Sequence, residues 1–332
     1  MKRKLCIMQL GLIKMANRSM MGDFTRTLKN NRTVVAVYVV LLLFFILASL
    51  ISSQFRTSFN AANLLRQVVA FGLVSIGQTI VILSAGIDLS VGSLISLSAC
   101  LTSGIMITHQ NFTAFIILFV LLLGVGVGLG NGILITRFRI PPFIATLAMS
   151  TVLQGVVLLY TKKPVGGVTR GFMFFANGDI GPVPFAFLFW VAILIFFFVL
   201  LRRSSFGLHV YAVGGNQEVA RLSGIHVNRT KIWIYIISSF MASLTGLFLT
   251  SRLGIGDPLV GQGFDLESIT AVLIGGTTFA GGRGGIEGTI AGVFIIAMIN
   301  NLLNLLNVTG FWQWIIKGIV VISVVAAYKE ER

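Results

Sequence analysis

Long, unbroken apolar runs dominate the chain, and short polar stretches separate them. Runs lie near residues 34–52, 67–85, 91–108, 112–136, 143–160, 184–201, 231–251, 268–282, 288–306 and 311–327. A helix needs about 20 apolar residues to cross roughly 30 Å of hydrocarbon, and most of these runs reach that length. Lipid-facing strands would alternate apolar and polar positions, so continuous runs predict helices and exclude a β-barrel. The expected fold is an all-α, polytopic transmembrane bundle of about ten spans, the third and eighth being short and rich in glycine. Its expected divisions are a leader at 1–32, a membrane domain at 33–328 and a tail at 329–332.

One polar stretch interrupts this pattern. "GGNQEVARLSGI", Gly214 to Ile225, lies in a loop at 202–230 between two long apolar runs. Gly214 and Gly215 precede Asn216, a good N-cap; Glu218 falls in the first turn, where the helix dipole favours an anion, and Gly224 is a natural stop. These residues predict two turns of helix. Val219, Leu222 and Ser223 cluster at helical spacing, Glu218 and Arg221 lie to the side, and Ala220 and Gly224 form a small pair one turn apart. Such a helix rests on lipid headgroups or docks into a groove of a partner, and spacing alone does not choose.

Glycines punctuate several apolar runs. In "GVGVGLGNG" (124–132) they recur at every second position, giving small-residue faces that let helices approach closely. In "GGTTFAGGRGG" Gly275, Gly276, Gly281, Gly282, Gly284 and Gly285 predict a break near the membrane, tolerated only where protein or a water-filled cavity surrounds the freed backbone. A second break is expected in "VILSAGIDLSVGSLISL", around Gly86 and Gly92. Run, break and run thus recur in the two halves, a hint of internal duplication. Asp88, in that break, is the sole acid between Asp23 and Asp179. A membrane acid is a candidate substrate or proton site, yet "Asp-Leu-Ser" before an apolar run also reads as a helix cap or structural tie. Lys317, in the last run, is expected to snorkel or to pair with an acid.

Composition agrees with the pattern: 56% of the 332 residues are hydrophobic and only 11% charged, with a mean hydropathy of +0.95. A net charge of +15 raises the question of nucleic acid. Its distribution answers otherwise. Lys2, Arg3, Lys4, Lys14, Arg18, Arg26, Lys29 and Arg32 all precede the first run, and Arg202, Arg203, Arg221, Arg229 and Lys231 crowd the loop after the sixth. The alternate loops hold Arg56, Arg66, Lys162, Lys163, Arg170 and Arg252. This bias places both termini and the 202–230 loop in the cytoplasm, with membrane lipid and not nucleic acid as surroundings. Two cysteines, Cys6 and Cys100, imply neither a disulfide framework nor a metal site. "LCIMQLGLI" is too short to span and lacks a cleavage site, while Met15, Met20 and Met21 offer alternative starts.

The stretch at 214–225 resembles the cytoplasmic coupling-helix segment of the ribose-type (monosaccharide) branch of bacterial ABC-transporter permeases, the pattern being carried by Glu218, Ala220 and Gly224. "VILSAGIDLSVGSL" (81–94), "RIPPFIATLAM" (139–149), "FDLESITAVLIGGTTFAGGRGGIEGT" (264–289) and "NNLLNLLNV" (300–308) resemble further blocks of that branch, in order. Two departures occur: Gln154-Gly155 where Arg-Gly is usual, and Glu267 where Asp is commoner. The resemblance implies an inner-membrane subunit that imports a ribose-like sugar. It also implies a second permease copy or paralogue (a homodimer being expected), an ABC ATPase subunit or tandem-ATPase protein, and an extracytoplasmic sugar-binding protein. The polar residues Gln67, Gln78, Asn300, Asn301 and Asn304 then become candidates, with Asp88, for the translocation pathway, interhelical hydrogen bonding being the alternative. No Gly-Lys dipeptide occurs, so no G-x-x-x-x-G-K-[ST] loop is present and ATP and Mg are expected on a partner, with no cofactor held by this chain. The competing expectation is a proton-coupled secondary transporter of a small polar solute, for which Asp88 would be the relay.

Overall fold

The computed structural model describes residues 32–327; the basic leader up to residue 31 and the tail at 329–332 lie outside them. Thirteen α-helices follow in order: α1 (Arg32–Ile51), α2 (Ser58–Leu83), α3 (Val91–Met106), α4 (Thr113–Thr136), α5 (Pro142–Tyr160), α6 (Arg170–Asn177), α7 (Phe185–Arg203), α8 (Ser205–Gly215), α9 (Gln217–Leu222), α10 (Val227–Leu253), α11 (Phe264–Ile274), α12 (Ile286–Leu305) and α13 (Gly310–Ala327). One small antiparallel hairpin, β1 (Asp179–Ile180) with β2 (Val183–Pro184), sits before α7. The fold is the polytopic helical bundle expected. Among the described residues seven helices are long and apolar enough to cross a membrane: α1, α2, α4, α5, α7, α10 and α12, with extensions of a few residues at some ends.

Three of the ten expected spans are not among these seven. The tenth is α13, whose described apolar stretch is Gly310–Ser323. The third is the 16-residue α3, about 24 Å at 1.5 Å per residue. The eighth, expected over 268–282, is helical only from Phe264 to Ile274. Eleven residues cover about 16 Å, well short of the hydrocarbon thickness. The cause is the glycine loop: Gly276, Gly281, Gly282 and Gly284 all take positive φ, from 69° to 116°, a region closed to continued right-handed helix.

Burial sorts the helices into an inner and an outer set. Of the most apolar window, 83% is buried in α2 and 72% in α10 and α12, against 11% in α1 and 22% in α4, α5 and α7. The outer helices therefore present apolar side chains to lipid, as Leu42, Leu122, Leu159 and Phe196 do. At the centre, α10 packs on α2, α3 and α4. Its contact with α4 uses one of the two glycine faces: a Cβ on Gly124 would meet Ser243, one on Gly128 the backbone of Tyr235 and Ile236, and one on Gly132 the backbone of Ile232. Gly126 has open space beside it, so close approach is confined to the every-fourth set. The antiparallel pair α11 and α12 approaches as closely, with Gly275 against Gly288 and Ala271 against Gly292.

Candidate functional site

The polar stretch forms the two-turn helix α9. Asn216 Oδ1 accepts from the amides of Glu218 (2.9 Å) and Val219 (3.1 Å), satisfying two of the orphan donors at the helix start. At the other end Gly224 takes φ +84°, the amide of Ile225 donates to Ala220 O and that of Gly224 to Arg221 O. That is a complete Schellman stop. Ala220 is buried and fixes α9 on the body, while Val219 and Leu222 are 58% and 79% exposed. Glu218 and Arg221 pair at 2.5 Å across one turn, an exposed contact worth little in itself, and Lys231 Nζ donates to Gln217 Oε1 at 2.9 Å. The helix thus offers an apolar edge and fixed charges away from the protein. A groove of about 780 Å³ lies between α9 and the 137–142 loop, and an adjoining one of about 440 Å³ runs along 224–229.

Behind α9, three segments meet backbone to backbone. The amide of Gly282 donates to the carbonyl of Leu83 at 2.9 Å, joining the second glycine break to the end of α2. Gly214, the penultimate residue of α8, lies buried against both; a Cβ there would overlap Leu83 O and come within 2.7 Å of Gly282 N. Cβ atoms on Gly281 and Gly282 would lie 2.9 Å from Gly214 O and Gly215 N. Ala85, with φ +58°, turns the chain away from α2 beside Gly281. The two breaks read separately from the sequence therefore converge, with the α8–α9 elbow between them.

Side chains reinforce this junction. Tyr211 of α8 donates to Gly284 O at 3.0 Å, and burial, then the nearby Glu287 carboxylate, pushes its phenol up, so it stays a donor. Arg202 at the end of α7 pairs with Glu287 in the first turn of α12, where a carboxylate also suits the helix dipole. From the sequence, Arg202 counted only in the charge bias and Gly284 only in the glycine break, and Tyr211 and Glu287 went unnamed. An acid two residues past a glycine break, with a basic pair at the end of an earlier span, was the available signal.

Asp88 lies fully buried in the first break. Its Oδ1 accepts from Ser90 N (3.0 Å) and Ser90 Oγ (2.6 Å), and its Oδ2 from Ser238 Oγ on α10 (2.8 Å). Ser90 Oγ in turn accepts from Asn131 of α4, and Thr146 of α5 accepts the amide of Leu89. Four helices are tied through this one loop. Gly86 and Gly92 make room for it: a Cβ on the first would crowd Tyr235 Oη at 2.7 Å, and on the second Gly261 O at 2.7 Å.

The polar residues considered for the pathway separate into two groups. Asn301 exchanges two hydrogen bonds with Asn60 (2.9 and 3.0 Å), Asn300 donates to Glu267 Oε2 (3.0 Å), and Asn304 accepts from Gln313 (2.9 Å). All three join helices. Gln78, at the buried face of α2, has neither its amide nitrogen nor its oxygen paired, and Ser75 one turn earlier is also unpaired. Gln67, nearer the start of α2, is half-buried.

The two sequence departures have places in the structure. Gln154 Nε2 donates to Pro258 O at 3.3 Å. Glu267 Oε1 pairs with Lys317 Nζ at 2.6 Å, which answers the question raised by a lysine in the last apolar helix.

Residues 60–325 match the family described as branched-chain amino acid transport system / permease component. The chain is 41% identical over 291 residues to the ribose import permease protein RbsC of Bacillus subtilis, covering 87% of this chain and 90% of that protein. Against ribose import permease protein RbsC of Escherichia coli K12 it is 37% identical over 292 residues, 86% of this chain and 91% of the relative. Against the D-allose transport system permease protein AlsC of the same strain it is 36% identical, covering 87% and 89%. No solved structure matches the chain. With its long apolar helices and bacterial permease relatives the chain is a multi-pass protein of the bacterial inner membrane. It belongs to the branched-chain amino acid transport system / permease component family.

Proposed function

We propose that this chain is the membrane-spanning subunit of an ATP-driven importer of a ribose-like monosaccharide. Separate ATPase subunits engage α9 from the cytoplasm, an extracytoplasmic binding protein delivers the sugar, and a second permease copy completes the pathway. The observation that carries this reading is the junction behind α9. A docked helix transmits motion only if it is rigidly joined to what must move, and α9 is joined through Gly214 and Gly215 to the ends of both broken segments. Closure of an ATPase pair would move α8, the Leu83 end of α2 and the 275–285 loop together, a rigid-body switch between inward- and outward-facing states. The identities to two ribose permeases and an allose permease support a monosaccharide as cargo. Gln78, with both amide atoms unpaired, is the pathway residue with most hydrogen-bonding capacity to spare for sugar hydroxyls, ahead of Asn300, whose Oδ1 alone is unpaired.

A proton-coupled transporter would need a carboxylate free to exchange protons along a path. Asp88 is held by three donors and Glu267 by a lysine and an asparagine. The test is uptake of labelled ribose into right-side-out vesicles that also carry the binding protein and ATPase encoded with the permease. Uptake that requires internal ATP and survives a protonophore supports the proposal; uptake that collapses with the proton gradient and ignores ATP overturns it.

A further inference from the structure

The groove beside α9 has a lining that extends beyond the coupling helix. It runs between the turn joining α4 to α5 and the starts of α9 and α10, and holds about 780 Å³, the size of a ligand cleft. Arg137, Arg139, Arg221 and Lys231 line it, with Glu218 as the one acid. Glu218 is occupied by Arg221, and Lys231 has only the neutral Gln217 as a hydrogen-bond partner. Arg137 and Arg139 are exposed, and their guanidinium groups have no hydrogen-bond or ion-pair partner among the described residues. Arg139 is presented from a left-handed backbone at φ +57°, a conformation costly for a residue with a side chain. Uncompensated cations crowded in one concavity call for an anion.

The surroundings say which anion. Phe138, between the two arginines, is 67% exposed, and Phe143, Ile144 and Leu147 on the first turns of α5 are exposed too. On α4, Leu129 and Ile133, one turn apart and just before Arg137, are also exposed. An anion bound here would have exposed apolar side chains of two outer helices nearby in the chain, which suits an amphiphile and not a soluble acid. Basic pockets between spans on the cytoplasmic side are the usual receptors of anionic lipid headgroups.

We propose that this groove binds the phosphate-bearing headgroup of an anionic phospholipid of the cytoplasmic leaflet, its acyl chains lying along α4 and α5. The headgroup bridges the 137–142 turn to Arg221 and Lys231, so an ordered lipid braces α9 against that turn. The inference uses the cytoplasmic placement of α9 but not the sugar or the ATPase, so it stands or falls apart from the function proposed above.

The test is native mass spectrometry of the full chain in neutral detergent, titrated with phosphatidylglycerol or phosphatidylcholine of matched chains. The wild type should retain phosphatidylglycerol in preference to phosphatidylcholine. Arg137→Gln with Arg139→Gln should weaken phosphatidylglycerol binding about 25-fold, about fivefold for each charge near the surface, and leave phosphatidylcholine unchanged. Arg137→Lys with Arg139→Lys should restore most of it, which separates lost charge from lost folding. Equal retention of the two lipids by the wild type, or no loss in the glutamine variant, overturns the proposal. Displacement of the lipid by an equal concentration of inorganic phosphate would make this a site for a soluble anion. Loss of a co-purifying ATPase from the glutamine variant with phosphatidylglycerol still bound would assign the groove to an acidic protein surface instead.

Discussion

The amide of Gly282 donates to the carbonyl of Leu83, and Gly214 lies against both. This contact joins residues nearly 200 positions apart through backbone alone, with no side chain to yield. Gly214→Ala should therefore destabilise the protein by at least the roughly 1–3 kcal/mol of an overpacked core, lowering the thermal midpoint, and abolish uptake. Thermal unfolding in detergent and vesicle uptake check it; a variant that transports normally would show that the junction is not rigid.

The caps of α9 should matter to coupling more than to the bundle. Asn216→Ala removes the acceptor of two amides, a loss of about 1 kcal/mol for the local helix. Gly224→Ala forces a Cβ into φ +84°, at about 1–2 kcal/mol. Hydrogen exchange should rise in 216–225 and stay unchanged in α10, while ATP-driven uptake falls. Unaltered exchange at α9 would contradict the cap assignment.

Asp88 ties the start of α3 to α10 through Ser90 and Ser238, so Asp88→Ala should reduce the yield of folded protein severely, leaving Ser90 and Ser238 hydroxyls buried without their acceptor. Asp88→Asn should keep part of that yield, and the material that folds should show the wild-type pH dependence of uptake. A displaced pH optimum at normal yield would return Asp88 to the proton-relay role.

Gln78 and the Glu267–Lys317 pair offer opposite outcomes. A buried amide without partners costs about 1–3 kcal/mol, so Gln78→Leu should raise the unfolding midpoint while lowering sugar uptake. Unchanged uptake would remove Gln78 from the pathway. Glu267→Leu or Lys317→Met alone should destabilise, each leaving a charge in an apolar setting, and the double variant should recover most of the loss. Additive losses would mean that the pair does not hold α13 to α11.

The sequence was most informative where one residue type has one mechanical use. Asn216, Gly224 and the glycines of 275–285 announced a capped helix and a break, since their backbone demands are local. The eighth span read too long because an apolar window does not register where positive-φ glycines end a helix. What the sequence concealed was convergence: nothing in the spacing of Leu83, Gly214 and Gly282 says that they meet. Likewise Glu267 and Lys317 lie 50 positions apart in different apolar runs, and only packing of α11 on α13 turns two costly charges into a pair. Asn300, Asn301 and Asn304 looked alike as polar residues on one helix, yet each has a different helix as its partner.

If α9 receives an ATPase, the two proteins should co-purify. The tagged protein is solubilised gently from its native host and its partners are identified by mass spectrometry, beside Gly224→Glu, which spoils the stop of α9 without touching a span. A Walker-motif ATPase is expected with the wild type and none with the variant. An ATPase retained equally by both, or absent from both while the binding protein is captured, would contradict it.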